Sequence, residues 1–72
     1  MTIDRALYLD QRSPSGIRED LEKILEAIQE FKSNNPQTFR ALCNEAIATG
    51  DMSLGDAESA LSSAIREVSN DY

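Results

Sequence analysis

The sequence predicts an all-α fold. It reads as a small three-helix bundle with a short N-terminal arm or helix, standing alone or forming half of an intertwined homodimer. Two observations carry this. Apolar residues recur at spacings of three and four along three successive segments, the repeat of a helix with one buried face. Capping residues, prolines and glycines punctuate those segments where helices start and stop. A length of 72 residues leaves room for one hydrophobic core. The expected organisation is therefore an arm or short helix over residues 1–12 and a three-helix domain over 13–72, with helices at about 14–33, 36–49 and 54–69.

Residues 1–12 fit two patterns. Ile3, Ala6, Leu7 and Asp10 suit a short helix capped by Thr2, and Ile3, Arg5, Leu7 and Leu9 suit an alternating strand. On either reading Leu7, Tyr8 and Leu9 are expected to be exposed and to make contact with the bundle or a partner chain.

Ser13-Pro14 opens the first long helix. The serine oxygen can accept from a free first-turn amide, and proline at the first helical position loses an amide that had no partner. Ile17, Leu21, Ile24, Ile28 and Phe31 follow at spacings of 4, 3, 4 and 3, a heptad seam that Leu25 widens. These six residues are expected to serve as core against the other helices, as an interface, or as both. Two heptads are too few for a coiled coil. Ile24→Asp is accordingly expected to unfold the domain or dissociate its oligomer, by burying an unpaired charge. On the opposite side lie Glu19, Glu22, Glu26 and Glu30, an acidic spine whose i,i+4 neighbours repel one another.

Asn35-Pro36 repeats the cap-and-proline device. Phe39, Leu42, Cys43, Ala46 and Ile47 then share one face, and Gly50 is placed for a left-handed stop. Ser53 with Asp56 three residues on forms a variant capping box. The last helix directs Leu54, Ala57, Ala60, Leu61, Ala64, Ile65 and Val68 to one side, and its alanines let a neighbouring backbone come close.

Charge and composition narrow the function. The net charge of −6 is uneven: residues 1–40 carry −1 and residues 41–72 carry −5. That field repels phosphates, which disfavours direct nucleic-acid binding and docking on anionic lipid. The last two helices resemble a helix-turn-helix in order, but the second offers Asp56, Glu58 and Glu67 beside Arg66, the wrong charge for a major groove. No apolar run approaches the about 18 residues of a membrane span, and the acidic and basic residues near the N-terminus do not suit a signal peptide. Histidine is absent and cysteine occurs once, so Cys43 lacks a histidine to activate it and reads as a small buried hydrophobe. A calcium loop starting at Asp51 would need glycine at Asp56 and glutamate at Ser62, so it fails on both. No metal, cofactor or catalytic residue is expected, and the chain is expected to be a cytoplasmic protein without enzymatic activity.

Two readings remain. One is a non-catalytic protein-interaction module, a small regulator, adaptor or assembly subunit binding a protein partner or its own copy through the apolar helix face. The other is an acidic inhibitor of the DNA-mimic kind, encoded by a phage or mobile element, that places Glu19, Glu22, Glu26 and Glu30 in the basic groove of a nucleic-acid-binding protein. Salt separates them, because an electrostatic decoy weakens as ions screen it and an apolar interface does not.

Overall fold

The structure is a computed structural model that describes residues 2–70. These residues form four α-helices and no strand: α1 (Ile3–Asp10), α2 (Pro14–Asn34), α3 (Pro36–Thr49) and α4 (Leu54–Asn70). The N-terminal segment takes the helical one of its two readings, and the three long helices lie within a residue of their expected bounds.

The local signals act largely as expected. Thr2 Oγ1 accepts from the Arg5 amide at 3.3 Å, and Ser13 Oγ accepts from the Gly16 amide at 3.1 Å ahead of Pro14. The Ser53–Asp56 box closes in both directions: the Asp56 amide donates to Ser53 Oγ at 3.2 Å and the Ser53 amide to Asp56 Oδ2 at 2.9 Å. Each reciprocal bond satisfies an amide that the first helical turn leaves free. Gly50 ends α3 with φ 79°. The Asp51 amide then reaches the Ala46 carbonyl at 2.8 Å, which completes a Schellman closure. Gln11 ends α1 in the same way at φ 56°, with the Arg12 amide on the Leu7 carbonyl at 2.9 Å.

Asn35 departs from expectation. Its side chain does not cap α3. It turns back to α2, where Nδ2 and the backbone amide both donate to the Phe31 carbonyl, at 3.3 and 2.8 Å. Its own carbonyl accepts from the Phe39 amide at 2.9 Å. One residue thus finishes α2 and starts α3, which is why the turn is so short.

The spine of the fold is the antiparallel pair α2–α4. Pro14 and Arg18 meet Val68 and Ser69 at one end. At the other, Leu54 lies beside Ile28 and Phe31, and Lys32 Nζ stands 3.8 Å from Glu58 Oε1. α1 lies over the first end, where Ile3, Ala6 and Leu7 line an open cavity together with Ile17, Ala64 and Val68. α3 is held at the second end by Phe39, whose ring lies under Lys32 Nζ at 5.2 Å from its centroid.

The packing is open. Leu7, Phe39 and Val68 are the buried apolar side chains, and among the described residues none is wholly shut from solvent. The radius of gyration is 14.6 Å, against about 11 Å for a compact domain of this length. The overall dimensions are 40 × 25 × 19 Å.

Three side-chain expectations change. Leu7 is buried at 8% exposure, so it anchors α1 to its own chain and is not an exposed contact like Tyr8 and Leu9. Ile24 is 51% exposed. The inward edge of α2 runs through Leu21, Leu25 and Ile28, all half-buried, because α3 and α4 approach from that side of the wide stripe. Leu42 and Ile47 are exposed: at about 100° per residue they flank the Phe39–Cys43–Ala46 line by roughly 60–80° on either side, and only the centre of that line meets a neighbour.

Candidate interaction surface

The exposed end of the α2 seam forms an apolar groove. Ile24, Ala27, Ile28 and Phe31 of α2 line it together with Leu54 of α4. Ile24 and Phe31 remain exposed while Ile28 and Leu54 are half-buried, so this is an open surface with apolar walls. The space within it measures about 340 Å³, enough by size for a small ligand. Its lining side chains carry no polar group, and small-molecule sites need a few placed polar groups to orient what they bind. The chemistry therefore suits an apolar protein surface.

The nine residues expected to form an interface divide into three sets. Ile24, Ile28 and Phe31 come together in the groove. Leu7 and Ile17 line the cavity between α1, α2 and α4, and Leu21 and Leu25 are half-buried along α2. Tyr8 and Leu9 stand on the outer face of α1, 78% and 52% exposed. Two groove residues escaped the sequence reading of the seam. Ala27 sits three residues from Ile24 and four from Phe31, a spacing that could have revealed it. Leu54 comes from a different helix, and local periodicity does not report which helix lies alongside.

The acidic spine is intact and solvated. Glu19, Glu22, Glu26 and Glu30 are all exposed. Arg18 Nε lies 3.6 Å from Glu22 Oε1, and both side chains are about half exposed. Such a pair contributes at most about 0.5 kcal/mol.

A third feature joins three helices. Lys32 reaches Glu58 of α4 and covers Phe39 of α3, and beside it Pro36, Arg40, Cys43 and Asn44 line a shallow cavity. Cys43 is half-buried there as a free thiol. Among the described residues, no three side chains of the histidine, cysteine, aspartate and glutamate types gather as a metal site. No helix among them is long and apolar enough to cross a membrane. No protein-family model matches the chain, and no curated protein or solved structure matches it.

Proposed function

We propose that this chain is a non-catalytic protein-interaction module, a small regulator, adaptor or assembly subunit that binds protein through the apolar face of α2. The observation that carries the reading is the groove of Ile24, Ala27, Ile28, Phe31 and Leu54, which leaves Ile24 half exposed in a setting without polar side chains. Exposing such residues in water is unfavourable, and a partner that covers them gains roughly 25 cal/mol for each Å² of apolar surface removed.

The test is capture by the tagged chain at low and high salt, with two variants. Ile24→Asp leaves α2 folded, since the site is open to water, and removes the captured protein. Glu22→Lys with Glu26→Lys leaves both folding and capture unchanged. Capture that survives Ile24→Asp overturns the reading.

The exposure of all four spine carboxylates favours a second reading, the acidic inhibitor of a nucleic-acid-binding protein. Under it the charge-reversal pair abolishes capture and high salt releases the captured protein. Loss of capture on Ile24→Asp together with retention in high salt counts against it.

A further inference from the structure

We propose that the occupant of the groove is α1 of a second copy, in a twofold dimer in which each chain lays the outer face of its α1 into the other's groove. The proposal rests on the interaction-module reading and names its partner.

The first support is shape. α1 covers Ile17 at one end of the α2–α4 pair, and the groove opens one heptad further along, at Ile24, and runs to Phe31. At about 100° per residue, Ile17, Ile24 and Phe31 lie within about 40° of one another around α2. Ridge and groove therefore occupy the two halves of one face. A twofold axis lying in that face, at right angles to the helices, sets each ridge over the other copy's groove. Such self-complementarity is what an isologous contact requires.

The second support is the ridge itself. Tyr8 and Leu9 present large apolar side chains to solvent from α1, at 78% and 52% exposure. One contact, made twice, covers both this pair and the groove.

The third support is area. The chain exposes 5373 Å², whereas a compact monomer of its 8.0 kDa mass exposes about 4,450 Å². A standard interface buries about 800 Å² per partner, and this open fold leaves that much surface to spare.

Charge is compatible. α1 carries Asp4 and Asp10 against Arg5, so the donated helix brings a net charge of only −1 from a chain of net −6. Glu19, Glu22, Glu26 and Glu30 lie at least about 120° around α2 from Ile24. Two copies can meet on this face without setting acidic spine against acidic spine.

The test combines light scattering with cross-linking. The purified chain at about 0.3 mM, where even a weak dimer forms, should show twice 8.0 kDa. Leu9→Glu and Ile24→Glu should each keep their helical circular dichroism and weaken self-association by about 100-fold or more, because each change is present twice in the dimer. In a Cys43→Ala background, mixing Leu9→Cys chains with Ala27→Cys chains should yield mainly the mixed disulfide. Dominant Ala27→Cys homodisulfides would mean groove against groove and overturn the pairing. A mass of 8.0 kDa at that concentration overturns the proposal and leaves the groove to a different protein. If Ile24→Glu then also leaves capture of every other protein unchanged, the module reading falls with it.

Discussion

Phe39→Ala probes what holds α3 in place. Phe39 is 8% exposed, the buried apolar side chain of α3, and it lies under Lys32 where α2, α3 and α4 meet. Phenylalanine-to-alanine changes in cores cost about 3–5 kcal/mol, combining lost transfer energy with the cavity left behind. The low end applies here, because the adjoining cavity at Arg40 and Asn44 is open to water and the site can relax. The cation over the ring adds little, about 0.5–1 kcal/mol for an exposed lysine. About 3 kcal/mol is therefore expected. The total stability of a 72-residue domain is about 4–11 kcal/mol, so the variant loses a large share of it. In thermal terms the midpoint falls by about 12–24 °C, at 4–8 °C per kcal/mol for this size. The assay is urea and thermal unfolding followed by helical circular dichroism, at one fixed protein concentration so that association does not alter the comparison. Lys32→Met, run alongside, leaves the ring but removes the cation from both Phe39 and Glu58, and should cost no more than about 2 kcal/mol. A loss below about 1 kcal/mol for Phe39→Ala would refute the reasoning, because it would mean that α3 is not anchored through this ring.

Two further outcomes follow from the helix ends. Ser53→Ala removes the oxygen that caps α4 and breaks the reciprocal bond with Asp56. It should cost about 1–2 kcal/mol in urea unfolding, at the upper end because Ser53 is buried. An unchanged midpoint would show that water replaces the cap. Gln11→Gly should raise stability by up to about 1 kcal/mol, since φ 56° burdens a residue with a Cβ and does not burden glycine. A lower melting temperature would mean that the entropy glycine adds to the unfolded chain outweighs the relieved strain.

The helix ends were readable because caps are local chemistry. Ser13 with Pro14, Ser53 with Asp56, and Gly50 each act within four residues, and each acts in the structure as its sequence context implies. The Asn35 exception has a local cause too, since an amide side chain can close the helix before it as readily as open the one after. Helix rotation was less readable. The α2 stripe from Ile17 to Phe31 is wide enough to turn either Ile24 or Leu25 inward, as both lie one turn from Leu21. The choice was made by where α3 and α4 approach, which no window of contiguous residues contains. Leu42 and Ile47 failed for the same reason, because α3 meets its neighbours along a narrow line. In the candidate surface, Ile24, Ile28 and Phe31 were visible as a seam. Its other wall, Leu54, is distant in sequence, and the groove exists only once α4 is in place.

The pairing of α2 with α4 gives the intervening segment an unusual standing. Residues 35–53, α3 included, amount to the connection between two antiparallel partners. Closing a flexible loop of that length costs only about 1.4 kcal/mol more than closing a four-residue turn, because the penalty grows with the logarithm of length. Once Phe39 and the Lys32 pin offset that difference, little else requires the connection to keep its present size. In a lineage of such chains, insertions, deletions and new surface chemistry would accumulate first in the parts of α3 away from Phe39, while the α2–α4 pair changed slowly.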